Sequence, residues 1–235
     1  MRRIFVGMIS LVLLLSGSIL AGSLPRYSRK LEPGGMSPAV RYEIPYLNDR
    51  IAEEYQSLAL GVEGKFYSAV DFPLIKAICR VLEENLLPGA DIVFVIDHTS
   101  SMRDDIDEVA RELKSITERL ESAGKVRMGV VSFSDVRSGT EYGYQSLDLN
   151  LDYSGVGKFL DRIDLVGSVE DIYGAIWKTV DEFTWESQSK RMIVVISDEA
   201  PAVGRETDFT EADVFLKCKS ENVVLFPILI DKNEN

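Results

Sequence analysis

The patterning of the chain predicts a doubly wound α/β fold, a mostly parallel sheet with helices on both faces. Three observations carry that prediction. Short runs such as "DIVFVID" (residues 91–97) and "RMIVVIS" (191–197) are apolar almost throughout and rich in β-branched residues, the look of strands covered on both faces. Stretches with apolar residues at helical spacing lie between such runs, and this alternation places parallel strands in one sheet. The 235 residues, 46% hydrophobic and 27% charged, have the composition of a globular protein large enough for one α/β domain with some extra chain.

The elements follow in order. "MRRIFVGMISLVLLLSGSILAGS" (1–23) sets two arginines before an apolar run and ends in small residues. That is the layout of a secretory signal cleaved around Ala21 to Ser23, with an uncleaved membrane anchor as the alternative. "LAGS" has serine where a lipid-modified cysteine would stand. The rest of the chain is therefore expected to be exported, to a periplasmic, secreted or cell-surface location. Residues 24–70 read as an arm: 24–48 hold four of the eight prolines and a glycine pair, and a short helix follows at 49–60, capped by Asn48 or Asp49. A domain is expected over 71–235. Its leading helix, 71–87, is capped by Asp71, buries Phe72, Ile75, Ile78, Cys79, Leu82 and Leu86, and ends at Pro88-Gly89.

The core over 90–230 opens with the strand "DIVFVID". A helix over 104–124 places Ile106, Val109, Ala110, Leu113, Ile116 and Leu120 on one face and stops at Gly124. "KVRMGVVSF" is a second strand, and the weaker alternation of "TEYGYQSLDLNL" suits an edge. "SGVGKFLDRIDL" and "VEDIYGAIWKTVDEF" are helical, "RMIVVIS" is a third buried strand, "TEADVFLKCKSE" a helix and "VVLFPILI" the last strand. Pro227 removes a ladder donor there and suits an edge position. Cys79 and Cys218 are a disulfide pair or two buried thiols; spacing does not decide.

In open α/β sheets ligands bind outside the carboxyl ends of the strands. Two of the buried strands run directly into an acid there, Asp97 and Asp198. Each acid alone reads as a helix cap; the two together point to a site. Asp97, Thr99 and Ser101 alternate along the loop and can turn three oxygens to one point. Mg²⁺ takes six oxygens and keeps several as water, so Asp198 would add charge without crowding. His98 stands at the variable position between ligands and is expected to face solvent or a partner, since Mg²⁺ prefers oxygen. Ser100 is expected to position the backbone, Met102 to pack in the core, and Asp135 and Glu199 to be solvated. Trp177 and Trp185 fall at packing positions.

"DIVFVIDHTSSM" resembles the opening strand and loop of von Willebrand factor type A domains, whose metal-ion-dependent adhesion site begins Asp-x-Ser/Thr-x-Ser. "KRMIVVISDEAP" is similar to the family's later strand ending in the second site aspartate, Asp198 here. "KVRMGVVSFSDV" and "EDIYGAIWKTV" resemble the second strand and the site-bearing helix. The resemblance covers residues 90–230 and implies a Rossmann-like fold, Mg²⁺ (or Mn²⁺ or Ca²⁺) as the cofactor, and a protein partner offering an acidic side chain. Two departures stand out. The family's second loop supplies a threonine, whereas "LVGSVEDIYGAI" has none. Ser168 is the nearest hydroxyl and is expected to replace that threonine as the fifth site residue, since Ser and Thr offer the same oxygen. Glu170 and Asp171 are the fallbacks, otherwise expected to stabilise the first turn of the helix. The family's last strand and helix have no counterpart before Asn235, and the helix at 71–87 is expected to cover the face they would cover.

Competing chemistries fare less well. A haloacid-dehalogenase-type phosphatase needs a second aspartate two residues after the nucleophile, where Thr99 stands. A Ser-His-Asp hydrolase has one histidine to work with, beside Asp97, and no nucleophile elbow. No glycine-rich phosphate or dinucleotide loop occurs. The formal charge of −12 argues against a nucleic-acid partner, and a membrane enters only if the N-terminal segment is retained. A binding module without turnover is the expectation; an assembly domain with a degenerate, metal-free site is the alternative, and a metal-dependent hydrolase the least favoured reading.

Overall fold

The computed structural model describes residues 49–69, 73–123, 125–140 and 142–230. The signal-type segment 1–23, the arm over 24–48, Asp71, Phe72 and Gly124 lie outside the described residues. Helix α1 (Asp49–Leu60) leads to a two-residue strand β1 (Tyr67–Ser68) and helix α2 (Leu74–Asn85). Then follow β2 (Asp91–Asp97), α3 (Ile106–Ala123), β3 (Arg127–Phe133), β4 (Tyr144–Asn150), α4 (Ser154–Leu160), α5 (Ile172–Glu182), β5 (Arg191–Ser197), α6 (Glu211–Glu221) and β6 (Val223–Leu229). The six strands form one sheet in the order β1-β6-β5-β2-β3-β4, parallel except for β4, which runs antiparallel at one edge.

Alternate residues of each strand feed opposite faces. Ile92, Phe94, Ile96, Met128, Val130, Val194 and Phe226 pack against α2, α3 and α4. Val93, Val95, Val131, Phe133, Ile193, Val195 and Leu225 pack against α1, α5 and α6. Each such side chain fully buried contributes about 1.5–3 kcal/mol, which is why these runs hold no polar interruptions until their ends. The fold is the doubly wound, mostly parallel sheet that the alternation predicts.

Several local expectations are revised. α2 starts at Leu74, with Pro73 at its N-cap and no side-chain cap bond. Its buried stripe is Leu74, Ala77, Ile78, Val81 and Leu82, while Ile75, Cys79 and Leu86 are only partly covered; the face is turned because the helix packs on both the sheet and α3. The turn before α3 is a 3₁₀ helix, Ser100–Asp104, tightened by Met102 N–H to Thr99 C=O (3.2 Å) and Asp105 N–H to Met102 C=O (3.0 Å). β6 is not outermost, because β1 pairs beside it at Ile228 and Leu229. Pro227 falls just before that pairing, where a missing N–H does no harm. Cys79 and Cys218 are both free thiols.

Residues 49–68 are woven into the sheet. α1 buries Tyr55 and Leu58 against β6 and its neighbours. The chain then passes so near the ladder that a Cβ on Gly64 would lie 1.8 Å from the Leu225 carbonyl oxygen; only glycine permits that approach. Among the described residues no helix is long and apolar enough to cross a membrane.

Candidate metal centre

After β2 the chain moves out through β3 and β4, then crosses back to β5 and β6 on the other side of β2. The crevice between β2 and β5 is therefore the switch point of the sheet, where a doubly wound fold opens a binding site. Their in-register pairing, Ile96 opposite Ile196, brings Asp97 and Asp198 to the same carboxyl edge. Both are buried, at 0% and 3% exposure.

Hydrogen bonds link the residues there into one cluster. Asp97 accepts from the Ser197 hydroxyl through Oδ2 (2.6 Å) and from the Thr99 backbone N–H through Oδ1 (2.8 Å). Thr99 Oγ1 and Ser101 Oγ are 2.9 Å apart, and the Ser101 hydroxyl donates to Asp198 Oδ1 (3.0 Å). Four of the five predicted site residues, Asp97, Thr99, Ser101 and Asp198, thus meet in one place. Burial pushes the Asp97 carboxyl up to about 6; hydrogen bonds from Ser197 and Thr99 pull the other way, and the charge of Asp198 adds to the rise.

The loop before α5, residues 165–171, lies across the loop after β2. Val166 N–H bonds the His98 carbonyl (3.0 Å), and Gly167, at φ +85°, offers its carbonyl to both the backbone N–H (3.1 Å) and the hydroxyl (3.0 Å) of Ser100. Ser100 does position backbone, as its place in the motif suggests. Ser168, next along, is exposed. The half-buried acid of this loop is Glu170, whose carboxyl is pushed up to about 7 by burial and then by the charges of Asp97, Glu199 and Asp198. The Glu170 carbonyl accepts from Ala202 N–H (2.8 Å), tying the loop to the segment after Asp198. Asp171 caps α5, accepting from Gly174 N–H (3.0 Å). The two acids divide the labour: Asp171 caps the helix, while Glu170 lies within reach of the charges of Asp97 and Asp198.

His98 departs from expectation. It is 1% exposed, and its Nε2–H donates to the Tyr142 carbonyl (2.7 Å), while burial lowers its pKa. The ring is a neutral brace between loops. Glu199 is half-buried rather than fully solvated, and Met102 is wholly buried as expected. Sequence reasoning missed Ser197 and Tyr55. Tyr55 is 0% exposed, its hydroxyl donating to the Glu199 carbonyl (2.8 Å). Nothing local marks either residue; a serine inside a strand and a tyrosine on a distant helix meet only in three dimensions.

The donor set fits a hard cation. Its members are carboxylate and hydroxyl oxygens, the ligands Mg²⁺, Mn²⁺ and Ca²⁺ prefer, and the charge of Asp97 is reinforced, not balanced, by its neighbours. Among the described residues no three His, Cys, Asp or Glu side chains are grouped to hold a metal, so a cation here depends on the hydroxyls as much as on the acids.

Residues 91–235, more than half of the chain, match the model of the von Willebrand factor type A domain. No curated protein matches the chain. Solved structures give weaker similarities. The pilus adhesin SpaC from Lactobacillus rhamnosus GG aligns with TM-score 0.42 and 20% identity, over 50% of this chain and 16% of the adhesin. BatB, a conserved hypothetical protein from Bacteroides thetaiotaomicron, aligns at 0.48 and 17%, over 60% of this chain and 66% of BatB. An aerotolerance-related membrane protein from Bacteroides fragilis NCTC 9343 aligns at 0.44 and 20%, over 60% of this chain and 67% of that one.

Proposed function

Since the chain belongs to the von Willebrand factor type A domain family, we propose that it is an exported binding module that holds a protein partner through a divalent cation at the carboxyl ends of β2 and β5. The observation that carries this reading is the convergence of Asp97, Thr99, Ser101 and Asp198 in one hydrogen-bonded cluster, with Asp97, Thr99 and Asp198 buried and Ser101 half-buried. These four residues would hold Mg²⁺, or Mn²⁺ or Ca²⁺ in its place, and the loop bearing Ser168 and Glu170 would supply the remaining protein oxygen. A cation so bound keeps a coordination position for an acidic side chain of the partner. Export rests on residues 1–23, where two arginines precede an apolar run that ends in small residues. No turnover is assigned, because the position that a phosphatase would need as its second acid is Thr99, and its hydroxyl is engaged with Ser101.

A second reading has its own support. Ser197, Thr99 and Ser101 already hydrogen-bond the two acids, so the centre can persist as a metal-free brace in an assembly domain. Calorimetric titration of the chain with Mg²⁺ and Mn²⁺ decides between them. Binding that disappears in Asp97→Ala is expected; no binding, or equal binding by the variant, removes the cation reading. Ser168→Ala and Glu170→Ala then show which residue of the loop before α5 contributes.

A further inference from the structure

Tyr55 stands well before the region that matches the family model, residues 91–235, yet its phenol ends among the residues of the centre. The ring is wholly buried, packed 6.2 Å from Phe66, and a buried tyrosine hydroxyl requires a partner. It donates to the Glu199 carbonyl (2.8 Å); the Glu199 N–H bonds Ser197 Oγ (3.3 Å); and the Ser197 hydroxyl donates to Asp97 Oδ2 (2.6 Å). The path therefore runs from α1 to the backbone of Glu199, the residue after Asp198, and through Ser197 to the carboxylate of Asp97.

We infer that Tyr55 is a positioning residue of the cation centre, fixing the backbone of Glu199 beside Asp198 and, through Ser197, the orientation of the Asp97 carboxylate. The centre is then complete only in a chain that carries α1. The inference rests on the cation reading above and adds an outer shell to it. Outer-shell partners orient the carboxylates that touch a metal, and losing one typically costs about 10- to 100-fold in metal affinity. Electrostatics agree: burial raises the phenol's pKa well above its ordinary value, with Ser197 opposing and the charges of Asp97, Asp198 and Glu170 adding to the rise. A neutral hydroxyl that stays a donor at every physiological pH is what the position needs.

The test compares Tyr55→Phe with Tyr144→Phe in the full chain. Phenylalanine keeps the ring and removes only the hydroxyl. Tyr144 is also buried, its hydroxyl 3.3 Å from Thr179 Oγ1, and belongs to edge strand β4. Mg²⁺ and Mn²⁺ affinities are measured by calorimetry and thermal unfolding is followed in parallel. Tyr55→Phe is expected to weaken both cations by about tenfold or more, and Tyr144→Phe to leave them unchanged even where it lowers the melting temperature comparably. Ser197→Ala should weaken binding too, and the double variant should lose less than the two single losses combined, as members of one network do. Wild-type affinity in Tyr55→Phe, or equal weakening in both tyrosine variants, overturns the positioning role while leaving the cation reading intact. Absence of binding by the wild type overturns both.

Discussion

Asp91 shows how a single residue ties the far end of the sheet together. Its buried carboxylate receives Arg127 Nε (2.8 Å) and Nη2 (2.6 Å), the Ser189 hydroxyl (2.6 Å) and the Glu186 N–H (2.8 Å). Burial alone would raise its pKa, but these donors outweigh it and hold the group below its ordinary 3.8. A depressed acid contributes stability above its unfolded value and loses it as pH falls through the folded one. Asp91→Asn is therefore expected to cost about 3 kcal/mol near neutrality, the scale of a broken buried pair. Urea unfolding at successive pH values should show that gap closing below pH 3.8; a gap that persists in strong acid would mean that packing, not charge, holds the site. At this scale Asp97, Thr99, Ser101 and Asp198 are legible in the sequence, because an acid directly after an apolar run has no reason of packing to be there. Ser197, Glu170 and the inward-facing His98 are not, since each acquires its role from a neighbour that only the folded sheet supplies.

Among the elements, those with a long period were readable and those held by one neighbour were not. β2, β3, β5 and β6 announce themselves by seven-residue runs. β1 has two residues and no pattern; it is a strand only because β6 lies beside it. The stripe of α2 was misplaced by about one position because helical periodicity fixes spacing better than phase, and the sheet and α3 together choose the phase. Gly64 is the hinge of this region's packing. Gly64→Ala pushes a methyl against the Leu225 backbone, where neither atom can rotate away, and an overpacked contact costs about 1–3 kcal/mol. Denaturant unfolding should show a loss in that range. Hydrogen exchange should show Ala69 N–H, bonded to Leu229 C=O at 2.8 Å, losing protection first; an Ala69 amide protected as in the wild type would show that β1 does not depend on this approach.

For the whole molecule, the sheet draws on both ends of the described chain. A fragment beginning at residue 71 would lack α1 and β1, leaving Val62, Leu58 and Tyr55 absent from one face of the core. Such a fragment is expected to lose cooperative thermal unfolding and to bind an apolar dye, the marks of a loosened core; a sharp calorimetric transition equal to that of the full chain would show that residues 49–68 are dispensable. The pairing of Tyr67 with Ile228 also has a consequence in time. Contacts far apart in sequence close late and slow folding. As the chain is made from its N-terminus, α1 must wait with its apolar side uncovered until β6 has been synthesised. Among the described residues the first helix to appear is thus among the last to find its place, and the last strand is what releases it from waiting.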